Sequence, residues 1–282
     1  MPPVVAVFNM KGGVGKTTVS AHLVHTLAVM KQKKVLVLDL DPQFNLTQLL
    51  MEEAEYEKVR EAGKTALGIF QPTKRVSLFD IVETPIPPPS ASAIVTPMDT
   101  SKSHCYDLVA GDMGLVRFGI LREMESLGGI QARFDRFLGE AKGHYDAIFL
   151  DCNPSGSFLT TCALRAADRL LVPVRPDRYS YLGLGHVTKL LGMLPDVHPL
   201  PHLDIVMNGE PRSAPMSAIE KDIRGNADYG RALLAAKLFQ SKHLHANSDS
   251  LGFATYAGGP WSQPIRDELK DVATEYAKRL GW

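Results

Sequence analysis

The sequence predicts an α/β fold in which a doubly wound, mostly parallel sheet is flanked by helices, as a single domain over residues 1–282. Three observations predict it. The strand-like runs are continuously apolar, as strands buried on both faces are. Helical patterns separate those runs, so strand and helix alternate along the chain. A glycine-rich turn joins the first strand run to the first helical one.

In order, Val4-Val5-Ala6-Val7-Phe8 is a short run rich in β-branched residues. Thr17 to Met30 carries Val19, Leu23, Val24, Leu27 and Ala28 at helical spacing. Val35-Leu36-Val37-Leu38 is the next strand, completing a βαβ unit. Residues 51–64 are charged and helical. Residues 84–103 are rich in Pro, Ser and Thr, with Pro87-Pro88-Pro89 inside, and predict a flexible surface loop. Further strands are expected at Ala147–Leu150, Arg169–Val174 and Leu203–Met207, with helices over 120–141, 157–167 and 183–194.

Lys plus Arg number 31, as do Asp plus Glu, so the chain has no overall basic field with which to coat nucleic acid. Local basic patches are not excluded by that balance. Cys105, Cys152 and Cys162 contain no C-x-x-C pair and read as reduced thiols of a cytoplasmic protein. No apolar run approaches membrane-spanning length, and no signal-peptide pattern opens the sequence, so no stable membrane insertion is expected.

The glycine-rich turn reads Met10-Lys11-Gly12-Gly13-Val14-Gly15-Lys16-Thr17-Thr18. Its end matches the phosphate-binding pattern G-x-x-x-x-G-K-[ST], with Met10 where the first Gly would stand. Gly12, Gly13 and Gly15 permit backbone angles that aim successive N–H groups at one anion. The following helix adds its N-terminal partial charge. Lys16 can reach the β- and γ-phosphates of a nucleotide, and the Thr17 hydroxyl can ligate Mg²⁺.

Lys11, together with the lost first glycine, makes the loop resemble the deviant Walker A branch of the P-loop NTPases, K-G-G-x-G-K-[ST]. That family includes the ParA and Soj partition proteins, MinD and the nitrogenase iron protein. The resemblance implies that Lys11 to Thr18 hold ATP, and that Lys11 crosses a homodimer interface to touch the partner's ATP.

Two acidic segments extend the resemblance. Asp39 and Asp41 follow the second strand, where doubly wound sheets bind ligands. The single residue between them turns them different ways if the strand continues, so one could serve Mg²⁺ and the other a water. Asp39-Leu40-Asp41-Pro42-Gln43-Phe44-Asn45-Leu46-Thr47 resembles the D-x-D-P-Q-x-N-x-T of ParA-type proteins. That gives Asp41 the orientation of the attacking water and Asp39 a place near the metal. Tyr145 to Asp151 is an apolar strand ending in an acid, the Walker B shape, with Asp151 holding Mg²⁺ through water. Cys152-Asn153-Pro154-Ser155 resembles D-C-P-P-S, with Asn153 in place of the first Pro. Cys152 is read as a packed thiol rather than an iron–sulfur ligand.

Leu171 to Ser180 resembles the V-P-V-x-P-x-x-x-S run of ParA proteins, and Asn208 falls where that family reads the adenine edge. Ile265, Leu269, Val272, Tyr276 and Leu280 predict a terminal helix whose charges balance four against four, which favours packing on its own domain over a membrane surface. By resemblance the chain is a slow, partner-stimulated ATPase that dimerises on ATP–Mg²⁺. Nonspecific DNA and a ParB-like activator are the implied partners, with nucleoid association and partition of a plasmid, chromosome or other cargo. Arg212, Arg224, Arg231, Lys237, Lys242 and Lys270 are the candidate DNA contacts. Two other readings are a MinD-like positioning ATPase working on a membrane or protein surface, and a non-hydrolysing nucleotide-dependent scaffold.

Overall fold

The computed structural model describes residues 1–71, 86–98, 105–120, 128–194, 199–213, 216–241, 244, 252–254 and 262–282. Eight strands form one sheet: β1 Val4–Val7, β2 Val35–Asp39, β3 Thr96–Pro97, β4 Tyr106–Val109, β5 Ala147–Asp151, β6 Arg169–Val174, β7 His202–Glu210 and β8 Leu238–Phe239. Their order is β3-β4-β2-β5-β1-β6-β7-β8. Among the described residues only β3 runs antiparallel to its neighbour. The doubly wound α/β expectation therefore holds.

The continuous apolar runs are explained by burial on both faces. Val4, Ala6 and Phe8 join one core with Phe134, Phe137 and Leu184. Val5 and Val7 join the other with Leu27, Leu269 and Tyr276. The alternation has the strand period of two. The terminal helix Ser262–Leu280 packs on the second face, with Ile265, Leu269, Val272 and Tyr276 buried. Among the described residues no helix is long and apolar enough to cross a membrane.

Four expectations are corrected. β4 was not expected, because Asp107 interrupts its apolar run; the carboxylate is buried there and accepts the Tyr145 hydroxyl at 2.8 Å. The helix expected over 120–141 runs Gly128–Ala141, with Arg117–Ile120 separate and 121–127 outside the described residues. In the stretch 84–103, expected as a flexible loop, residues 86–90 have no regular secondary structure and two short elements follow them. Ala91–Ile94 is helical, the Ala91 N–H is capped by the Glu140 carboxylate at 2.9 Å, and β3 pairs with β4. The remainder of that stretch lies outside the described residues. Finally, β7 continues past Met207, so Asn208 lies within the strand rather than after it.

The helix behind the glycine-rich loop runs from Lys16 to Lys31 and widens to a π-helical turn over Val19–Leu23. The Tyr106 hydroxyl donates to the Ser20 carbonyl within that turn, at 2.9 Å. His22 in the same turn is buried, and its Nδ1 accepts the Ala254 N–H at 3.1 Å. Burial, with a smaller push from His25, lowers the His22 imidazole to about 4 from an ordinary value of 6.5. The unfolded chain therefore binds a proton between those values that the folded chain excludes, so stability falls as pH drops from 6.5 toward 4. At pH 5 the loss is roughly 2 kcal/mol relative to pH 7. His22→Asn keeps an acceptor for Ala254 and removes the titration. Urea unfolding at both pH values is expected to show a smaller gap for the variant; an unchanged gap refutes this account.

Candidate phosphate-binding site

The carboxyl ends of β2, β5, β1, β6 and β7 form one rim, and the loop from Phe8 to Gly15 leaves β1 at its centre. This is where an open parallel sheet leaves a crevice. Gly13 and Gly15 have φ of +73° and +97°, the left-handed region that favours glycine. A Cβ on Gly15 would also sit 1.9 Å from the Asn208 amide nitrogen, so the loop has no room for a side chain there. Two asparagines brace the loop. Asn9 accepts the Lys11 N–H at 3.0 Å and donates to the Pro173 carbonyl at 2.9 Å. Asn208 donates to the Val14 carbonyl at 2.8 Å.

The cleft over the loop measures about 1120 Å³. Gly12, Gly13, Gly15, Lys16, Thr17 and Thr18 line it on one side and Asp41 on another. Lys16 is 8% exposed, and its ammonium donates to the Lys11 carbonyl at 3.3 Å. Burial lowers its pKa, while Asp151 and Asp41 oppose the shift. The Asp151 carboxylate accepts the Ser20 hydroxyl at 2.8 Å and the Thr17 hydroxyl at 3.3 Å. Lys16, Thr17, Asp41 and Asp151 therefore lie close together at the loop. Cys152 is buried beside them and its thiol is pushed well up by burial, which fits a packed residue; all three cysteines are buried and none is in a disulfide.

Asp39 lies beside Asp151, deeper than the cleft wall. β2 continues through it, and its side chain is fully buried, with its Cα opposite Asp151 in register. Its oxygens accept the Thr47 N–H at 2.9 Å, the Thr47 hydroxyl at 2.8 Å and the Asp41 N–H at 3.3 Å. Asp39 thus folds the Asp41-to-Thr47 segment rather than facing the cleft. Burial and the neighbouring Asp151 raise its pKa. The second acidic segment has its own organiser. The Asn153 side-chain oxygen accepts from Ser155 N–H at 3.3 Å and from the Ser155, Ser157 and Thr160 hydroxyls at 3.1, 3.4 and 2.7 Å. A side-chain hub stands where the resembling sequences have a proline.

Lys11 lies against its own chain. Its ammonium is 2.6 Å from the Asp177 carboxylate and 3.3 Å from the Ser180 hydroxyl. Asp177 also caps the helix Arg178–Met193 through the Ser180 N–H at 2.9 Å. These contacts hold the Asp177 carboxyl below its ordinary range against the cost of burial.

A family described as an AAA domain, AAA_31, matches residues 3–198. The chain belongs to this family, as a ParA/Soj-type P-loop member. The sporulation initiation inhibitor protein Soj of Bacillus subtilis is 29% identical over 187 residues, 66% of this chain and 64% of Soj. The chromosome partitioning protein ParA of Caulobacter vibrioides is 29% identical over 192 residues, 67% of this chain and 61% of ParA. The chain thus spans less than two thirds of the length of either relative. A putative plasmid partition protein of Borrelia burgdorferi B31, solved bound to AMPPNP, superposes with a TM-score of 0.70 at 16% identity, covering 99% of this chain and 100% of that one. At that identity the likeness establishes the fold.

Within this ParA/Soj-type frame, the sequence does not single out Ser20, Asp177, Arg175 or the brace Asn9. Ser20 sits one helical turn after Thr17, so the i, i+3 spacing puts both hydroxyls on the Asp151 side; that signal was present. Asp177 and Arg175 lie in a stretch read only for its prolines and serine. Arg175 lines the cleft, and its guanidinium donates to the Gly13 carbonyl at 3.3 Å. The candidate DNA contacts divide. Glu220 holds Arg224 at 2.7 Å and Lys237 at 2.6 Å, and Glu268 holds Arg212. Arg231 and Lys270 are exposed, and Lys242 lies outside the described residues.

Proposed function

We propose that this ParA/Soj-type chain binds ATP with Mg²⁺, forms a homodimer around the nucleotide, and hydrolyses ATP slowly until a ParB-like partner stimulates it. The observation that carries this reading is the convergence of Lys16, Thr17, Asp41 and Asp151 on a glycine-rich loop that also bears Lys11. The loop's N–H groups and Lys16 bind the phosphates. Asp41, half-buried at the cleft wall, orients the attacking water. Thr17 and Asp151, already within hydrogen-bond reach of each other, are the oxygen donors that fit a hard cation. Mg²⁺ bound there would offset the negative charge of the phosphates. Asp39 holds the Asp41-to-Thr47 segment and, beside Asp151 in register, stands near the metal. Asn208 reads the adenine edge from the β7 side of the loop.

Dimerisation brings Lys11 to the partner's ATP, and Lys11 must leave Asp177 to get there. The dimer binds DNA nonspecifically through exposed basic residues such as Arg231 and Lys270, each presented twice by the two-fold assembly. The cellular task is partition of a plasmid, chromosome or other cargo, in a cytoplasmic, nucleoid-associated protein. Retention on DNA at low and high salt tests this, with ATP–Mg²⁺, with ADP and without nucleotide. Salt-sensitive retention only with ATP is expected. Retention indifferent to nucleotide, or none at low salt, contradicts the DNA reading and leaves the ATPase reading to phosphate release.

A further inference from the structure

The cleft contains a cation that the phosphate-loop pattern does not include. Arg175 leaves the carboxyl end of β6, immediately beside the loop, and its guanidinium reaches across to the Gly13 carbonyl at 3.3 Å. That contact occupies one of five N–H donors in a planar fork suited to phosphate oxygens. The room for it comes from Gly209. A Cβ at 209 would lie 3.2 Å from the Arg175 Nε and 3.3 Å from an Nη, and the φ of +75° there favours glycine in its own right. The side chain lies half-buried, along the cleft wall.

The sheet order says which part of a nucleotide it meets. Asp41 and Asp151 follow β2 and β5, on one side of β1. Arg175 and Asn208 belong to β6 and β7, on the other side. The acids mark the side where the metal and the attacked γ-phosphate belong, so Arg175 stands on the opposite, sugar-proximal side.

We propose that Arg175 is a nucleotide-binding residue acting within its own chain, and that its guanidinium holds the α- and β-phosphates of a nucleoside di- or triphosphate. The assignment rests on the nucleotide reading of the cleft. It makes Arg175 a third cation of the site, separate in role from Lys16 at the β- and γ-phosphates and from Lys11 toward the partner. Because ADP and ATP share the α- and β-phosphates, both lose the same contact when Arg175 is replaced.

The test is titration calorimetry of ADP and of ATP, each with Mg²⁺, into wild type, Arg175→Gln and Arg175→Lys. Arg175→Gln is expected to weaken ADP and ATP alike, by about tenfold or more. Arg175→Lys keeps the charge without the fork and is expected to recover part of the loss for both. Nucleotide-free melting temperatures are expected to match wild type, since one contact to a loop carbonyl is removed. Unchanged ADP affinity in Arg175→Gln overturns the proposal, and so does a loss confined to ATP, which would place the guanidinium at the γ-phosphate. A Lys16→Ala control that loses binding beside an unaffected Arg175→Gln would leave the nucleotide reading standing while removing Arg175. Wild type that binds neither nucleotide removes both.

Discussion

Lys16→Ala is expected to lose ATP binding, with affinity falling at least about 100-fold by calorimetry. The size follows from burial. Lys16 is 8% exposed and lies between the loop carbonyl of Lys11 and the Asp151 and Asp41 carboxylates. A cation in such a place interacts with an incoming phosphate with little screening by water. The same burial makes the residue structural, because its removal leaves Asp151 less compensated. Circular dichroism and melting of the variant therefore accompany the binding measurement. A folded variant with wild-type affinity would refute the role given to Lys16.

Asp41→Ala is expected to leave ATP binding and dimer formation in place while hydrolysis falls about 100-fold or more. Asp41 sits past the end of β2, half-exposed at the cleft wall, and accepts the Gln43 N–H at 2.9 Å. Its backbone is held from behind by Asp39 at 3.3 Å. Removing the Asp41 side chain thus disturbs a tight turn only slightly and takes away the carboxylate that would orient the water. The expected result is a long-lived ATP dimer, seen by light scattering with phosphate release near background. Monomer alone, with hydrolysis continuing, would show that the assignment is wrong.

The two acids also show what the sequence made legible and what it did not. Spacing alone left open which of Asp39 and Asp41 faces the ligand, because the answer depends on where β2 stops. The strand runs through Asp39, so that side chain is committed to Thr47 and Asp41 is released to the cleft. The loop from Lys11 to Thr18 was readable because glycine positions and a Gly-Lys-Thr-Thr junction state their backbone requirement locally. The buried strands were readable for a similar reason, since burial on both faces leaves an unbroken apolar run. β4 was not, because Asp107 has its partner, Tyr145, 38 residues away, and long-range pairing leaves no local trace. Arg175, Asp177, the brace Asn9 and the bracing contact of Asn208 were hidden likewise. Each matters through a contact more than 160 residues distant in sequence, or two such contacts. The fate of the basic residues belongs with them. Arg224 and Lys237 looked available as DNA contacts until the buried Glu220 was seen between them.

The central claim is that a complete hydrolytic site draws Asp41 from one chain and Lys11 from the other. In this structure Lys11 contacts its own Asp177, so its role in trans needs a test that separates the chains. Lys11→Ala and Asp41→Ala, each expected to be inactive alone, can be mixed in equal amounts and assayed for phosphate release. Half of the dimers would be mixed, and each mixed dimer would carry one site with an intact Asp41 and a partner's intact Lys11. The predicted result is recovery to about a quarter of the wild-type rate. Activity that stays at the level of the separate variants, while light scattering shows that mixed dimers form, would contradict the account.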